Sequence, residues 1–111
     1  MFAAVALGAF GTHALKARLT PEMAGVWHTA VQYHAWHGLA LLGVGLLMLH
    51  APERAGLALA GWLFVAGVLL FSGSLYALAL TGVRGLGAIT PFGGGALLAG
   101  WAALAWAAWR G

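Results

Sequence analysis

The chain has 111 residues, of which 63% are hydrophobic and 6% charged, with a formal net charge of +3 and no cysteine. Ordinary soluble domains carry about a quarter charged residues, so this composition excludes a water-exposed surface, and the length leaves room for one domain. The five basic residues are scattered, which excludes a nucleic-acid-tracking patch, and the missing thiols remove disulfides, Cys nucleophiles and thiolate metal sites.

Lys16, Arg18, Glu22, Glu53, Arg54, Arg84 and Arg110 divide the chain into charge-free stretches 1–15, 23–52, 55–83 and 85–109. Crossing a bilayer core takes about 20 apolar helical residues, and the last three stretches exceed that. The pattern predicts an all-α membrane protein of four antiparallel transmembrane helices in a compact bundle. It forms a single domain over 1–111, with helices at about 1–16, 21–50, 55–80 and 91–109.

Helix one is apolar from its first residue and lacks the positive start and cleavage pattern of a signal peptide, so a retained helix is expected. At 1.5 Å per residue, 1–15 reaches only about 22 Å; either Lys16 and Arg18 snorkel outward or further residues precede Met1.

Helix two opens with Thr20-Pro21-Glu22, a capping hydroxyl, a first-turn proline and an acid at the positive end of the helix. It continues to His50, about 45 Å, so its first turns lie in the interface or the helix tilts. Thr29, Tyr33 and His37 form one i, i+4 row, His28 and Gln32 a neighbouring row, and His34 sits one turn from His37. With the last 20 or so residues before Pro52 embedded, His34 and His37 lie about 4 to 10 Å beneath the interface, a depth that His13 matches from the end of helix one.

Helix three carries Ser72, Ser74 and Tyr76, and the glycine-punctuated stretch 81–87 turns the chain toward helix four, which Thr90-Pro91 caps and opens. Gly95, Ala99, Ala103 and Ala107 recur every four residues along helix four and are expected to form a packing face, inside the bundle or between two copies. Trp27, Trp106 and Trp109, the last two beside Arg110, look like interfacial anchors, whereas Trp36 and Trp101 fill bulk.

Polar side chains inside a membrane need a partner or a task. His13, Gln32, His34, His37, Ser72, Ser74 and Tyr76 are therefore the candidate polar cluster, with His13 and His37 expected to meet directly or through Gln32 or Tyr76. Three imidazoles at one depth are compatible with a proton relay, a transition-metal site or a haem held by one His from each of two helices. The favoured reading is simpler: the imidazoles hydrogen-bond Gln32, Tyr33, Tyr76 or backbone carbonyls and hold the bundle together. No complete catalytic set is present. A serine nucleophile needs a positioned base, Gly93-Gly94-Gly95 is followed by no Lys-Ser/Thr, and both carboxylates lie at helix ends, where they cannot drive antiport from within a helix.

Gly8-Ala9-Phe10-Gly11-Thr12-His13-Ala14-Leu15, Trp27-His28-Thr29-Ala30-Val31-Gln32-Tyr33-His34-Ala35-Trp36-His37, Leu70-Phe71-Ser72-Gly73-Ser74-Leu75-Tyr76 and Ile89-Thr90-Pro91-Phe92-Gly93-Gly94 together resemble a known family. It comprises small bacterial inner-membrane proteins catalogued as domain of unknown function four-two-three, with animal relatives. The resemblance implies a four-span integral membrane protein and no activity. It places His13, His37, Ser72, Ser74, Tyr76, Thr90 and Pro91 on motif positions, while His28 stands where a glutamine is expected. The resulting expectation is a multi-pass protein of the bacterial cytoplasmic (inner) membrane, not an enzyme and without a cofactor. It would contact membrane lipids, bind no nucleic acid, and serve as a structural or accessory subunit beside other membrane-protein subunits. The alternatives are a small carrier or channel for protons or small solutes that uses the histidines, and haem or metal binding.

Overall fold

The computed structural model describes residues 1–15 and 17–110, the last without its side chain, so the expectations placed on Lys16 and on the Arg110 side chain lie outside the described residues. Helix α1, Phe2–Phe10, runs directly into a π-helical turn, Gly11–Leu15. Helix α2 spans Pro21–His50, α3 spans Leu57–Thr81, a 3-10 turn covers Arg84–Ala88, and α4 spans Thr90–Arg110.

The ends of these helices follow from local chemistry. The Thr20 hydroxyl accepts a hydrogen bond from the Met23 amide at 3.1 Å, satisfying one of the orphan donors of α2, and Pro21 costs nothing in the first turn. Gly56 and Gly82 flank α3 with φ of +94° and +71°, left-handed conformations that side chains with a Cβ rarely adopt. At the start of α4 the expected Thr90 cap is not made. The Ile89 carbonyl accepts from the Phe92 amide at 3.1 Å, and the Thr90 hydroxyl turns to α3 instead.

Sequential helices are antiparallel. Trp27, Ala30, His37 and Val44 of α2 meet Tyr76, Ser72, Phe64 and Gly61 of α3, while Gly93, Leu97 and Gly100 of α4 meet Phe71, Gly67 and Phe64. Along α1, Gly8 faces Val31, Gly11 faces Trp27, and Met1 reaches Gly38. The pair α2 and α3 stands in the middle, with α1 along α2 and α4 along α3. The helices therefore form a flattened row, 48 × 26 × 14 Å, flatter than the compact bundle expected from the sequence. Its core is split accordingly: Val44, Ala60, Phe64 and Leu97 are buried among α2, α3 and α4, and Leu15, Trp27 and Ala79 are buried toward the other end, where α1 contributes.

The α3–α4 contact follows a different line from the expected small-residue stripe. Gly93 lies so close to α3 that an added Cβ would overlap the Phe71 backbone, and Gly100 would meet the Phe64 ring at 2.7 Å. The buried face of α4 is thus Gly93, Leu97, Gly100 and Ala107, with Ala103 half-buried, while Gly95 and Ala99 are exposed. The reason is geometric: each i+4 step advances about 40° around a helix, so a strict four-residue stripe rotates off a straight contact.

The outer surface is apolar. Leu49 of α2, Trp62 of α3 and Leu98 of α4 are 79%, 73% and 73% exposed, among large hydrophobic side chains exposed on all four helices. Among the described residues, α3 and the segment Arg84–Trp109 are each long and apolar enough to cross a membrane.

Candidate functional site

The polar side chains of the helix interior are distributed over separate hydrogen bonds, some within a helix and some between helices. His37, 5% exposed, carries two. Its Nδ1 lies 2.7 Å from the Tyr33 carbonyl, which can only accept, and its Nε2 lies 3.0 Å from the Trp101 indole nitrogen, which can only donate. Those two partners fix the neutral tautomer with the proton on Nδ1. Both ring nitrogens are used, so a metal or haem iron would have to displace Trp101. The ring is held on three sides, stacked on Tyr33 at 13° and packed against Phe64 and Trp101 with centroids 5.5 and 5.8 Å away.

His34 pairs with α3: its Nδ1 is 3.0 Å from the Tyr76 hydroxyl, and the Tyr76 ring packs on Trp27 at 4.7 Å. The Ser72 hydroxyl donates to the Ala30 carbonyl at 2.8 Å, and Ala30 and Ser72 are 0% and 1% exposed. Ser74 contacts the Phe71 carbonyl at 2.9 Å and the Thr90 hydroxyl at 2.6 Å. With one proton each, the balanced arrangement has Thr90 donating to Ser74 and Ser74 donating to the carbonyl. Among the described residues neither serine hydrogen-bonds an imidazole, so no nucleophile–base pair is formed between them. Gln32 is half-buried and makes no hydrogen bond among the described residues.

His13 does not join His37. It sits exposed on the π turn. The antiparallel register, Gly11 against Trp27 and Met1 against Gly38, puts the levels of the two histidines on α2 some twelve residues, about 18 Å, apart along the helix axis. Counting back from Pro52 implies equal depth, but α1 docks against the first half of α2, which shifts His13 toward the charged end. Among the described residues no group of three His, Asp or Glu side chains is placed to hold a metal.

Two positions carry weight that the sequence did not signal. Trp101, read as bulk, supplies the donor that locks His37. Trp27, read as an interfacial anchor, is 5% exposed and donates from its indole to the Leu7 carbonyl at 3.0 Å. Gly11 makes that contact possible, because an added Cβ would overlap the indole.

At the charged end, Arg84 clasps Glu22 with Nη1–Oε1 and Nη2–Oε2 distances of 3.0 and 3.4 Å, tying the start of α2 to the α3–α4 connection. Hydrogen bonding to Arg84, and then its charge, hold the Glu22 carboxyl below the usual carboxylate range and raise the Arg84 guanidinium in turn.

Residues 7–94 match the model of the family described as "Protein of unknown function (DUF423)". The chain is 48% identical over 98 residues to the UPF0382 membrane protein YwdK of Bacillus subtilis, covering 88% of this chain and 80% of that protein. It is 47% identical over 97 residues to a UPF0382 membrane protein of Staphylococcus haemolyticus, with coverage of 87% and 78%. A UPF0382 membrane protein of Staphylococcus epidermidis is 46% identical over 101 residues, 91% of this chain and 81% of its own. No solved structure matches the chain.

Proposed function

This chain belongs to the DUF423 family and is a membrane protein, and we propose that it is a four-span, non-enzymatic structural or accessory subunit of a complex in the bacterial cytoplasmic membrane. One observation carries this reading: the interior histidines and serines, on which chemistry would depend, are already committed. His37 has both nitrogens bonded, Ser72 and Ser74 donate to or share protons with neighbouring helices, and His34 pairs with Tyr76. Beside His37, Phe64, Ala60, Val44 and Leu97 pack into a hydrophobic core among α2, α3 and α4. Such bonds average under about 1 kcal/mol each in a bilayer, yet several together fix helix register where lipid supplies no hydrophobic drive.

The four-span reading is supported by the exposed leucines on the second half of α2 and by short connections that reverse the chain at each end. It is also supported by the Glu22–Arg84 pair, which joins two connections at one end. Relatives described as membrane proteins in Bacillus and Staphylococcus support a bacterial membrane location.

The test is purification from native membranes without crosslinker, followed by mass spectrometry of what accompanies the chain. A reproducible membrane-protein partner at fixed stoichiometry is the expected result. A chain that purifies alone and, in vesicles, conducts protons in a manner abolished by His37→Ala would overturn the reading in favour of transport.

A further inference from the structure

A groove of about 520 Å³ opens on the outer side of the row between α2 and α4, lined by Tyr33, His37, Phe71, Gly95, Leu98 and Trp101 among others. Its volume falls within the range of small-molecule sites. Aromatic rings form its inner wall: Tyr33 lies 4.4 Å from Phe71, and Trp101 lies T-shaped against His37. On the α4 side Gly95 leaves the wall open, since an added Cβ there would meet nothing within 4 Å.

The polar groups of this groove are unequally occupied. The Trp101 indole and both His37 nitrogens satisfy one another and the Tyr33 carbonyl, but the Tyr33 hydroxyl has no hydrogen-bond partner among the described residues. Among the described residues no buried side-chain oxygen lacks a partner, so this hydroxyl is accessible from outside and free to donate. Counted from Leu57, a hydrocarbon layer of about 30 Å takes in α3 to about residue 77, so Phe71 and the neighbouring Tyr33 ring lie about 9 Å beneath that surface. Trp101 packs on Phe64 at 4.9 Å, roughly 10 Å deeper than Phe71.

We propose that this groove binds an isoprenoid quinone, with a ring carbonyl accepting from the Tyr33 hydroxyl, the ring against Tyr33 and Phe71, and the apolar tail running past Leu98 and Trp101 toward the bilayer centre. The match is chemical. Among the described residues no charged side chain lines the groove, so the ligand head is neutral, and the free group asks for an acceptor on a flat ring that can lie against aromatic neighbours. A phospholipid acyl chain has nothing to offer the hydroxyl at that depth, and its phosphate stays at the interface. Binding alone is inferred. The depth of Tyr33 rests on the four-span reading, whereas the groove itself does not.

The probe is decylubiquinone, titrated into the purified full chain in detergent and read by quenching of tryptophan fluorescence. The parent should show saturable quenching that added phosphatidylcholine does not displace. Tyr33→Phe, which deletes one oxygen and leaves the ring packing, should weaken the midpoint about tenfold, the worth of one well-made hydrogen bond. Gly95→Leu, which fills the groove from its open side, should abolish the saturable phase while circular dichroism stays that of the parent. Linear, non-saturable quenching in the parent, or displacement by phosphatidylcholine, would overturn the proposal. Saturable binding unchanged in Gly95→Leu would place the quinone elsewhere, and an unchanged midpoint in Tyr33→Phe would remove the head-group assignment. None of these outcomes depends on whether a protein partner is found.

Discussion

Replacing Gly93 with alanine, compared with the same change at Gly95, tests the α3–α4 contact that positions Trp101 and Thr90. At Gly93 the new Cβ would meet the Phe71 Cα at 2.7 Å and the Leu70 carbonyl carbon at 2.8 Å, backbone atoms that no rotamer change can move aside. At Gly95 the same methyl points into open space. Alanine favours a helix over glycine by about 1 kcal/mol, but that gain is common to both variants and cancels in the comparison. What remains is the overpacking term, about 1–3 kcal/mol, and the backbone character of the clash argues for the upper half of that range. Reversible unfolding in mixed micelles, titrated with dodecyl sulfate and followed by circular dichroism, should therefore rank Gly95→Ala at or above the parent and Gly93→Ala clearly below Gly95→Ala. Equal stability of the two variants would mean that α4 does not present Gly93 to α3, and would refute the register of Gly93, Leu97 and Gly100 against that helix.

Four further outcomes follow from the same contacts. Gly11→Ala should break the Trp27–Leu7 bond and loosen α1, seen as faster hydrogen exchange confined to α1 and the start of α2. Nitrogen NMR of His37 should report the neutral ring protonated at Nδ1, and Trp101→Phe should shift the Nε2 resonance while costing about 1 kcal/mol. Ser72→Ala should cost about 0.6–1.7 kcal/mol in the same unfolding titration, since it deletes one interhelical bond and leaves the Ala30 carbonyl its helical partner. The Glu22 carboxyl is depressed in the folded state, so its pairing stabilises above the ordinary carboxylate range and that contribution is lost as pH falls through the folded value. Glu22→Gln should remove this part of the acid sensitivity, and because both partners are exposed, added salt should shrink the difference in the parent.

The sequence made some of this legible and hid the rest for identifiable reasons. The start of α2 could be read from Thr20-Pro21-Glu22 because capping is local chemistry, and the charge-free stretches marked the apolar segments because desolvating charge is expensive anywhere in a chain. Thr90 shows the limit of local reading: the same cap-plus-proline pattern occurs, but Ser74, sixteen positions away, offers its hydroxyl a tertiary partner. The His37–Trp101 bond joins residues 64 positions apart, and only the packed helices bring them together. A depth count from Pro52 misplaces His13, because Gly11 and Gly8 set where α1 docks by allowing close approach to Trp27 and Val31. Within the chain the small-residue stripe of α4 is buried only at Ala107 and partly at Ala103, because the close contacts follow Gly93, Leu97 and Gly100, a spacing of four and then three.

The absence of cysteine makes the four-span reading directly measurable, since every introduced thiol is unique. Single cysteines at Arg18, Glu53, Leu86 and Trp109, treated with a membrane-impermeant maleimide in right-side-out and inside-out vesicles, report which face each segment occupies. Four spans require that Arg18→Cys and Leu86→Cys label from one face and Glu53→Cys and Trp109→Cys from the other, in keeping with the Glu22–Arg84 pair at the first end. Labelling of Glu53→Cys and Leu86→Cys from the same face would contradict that topology.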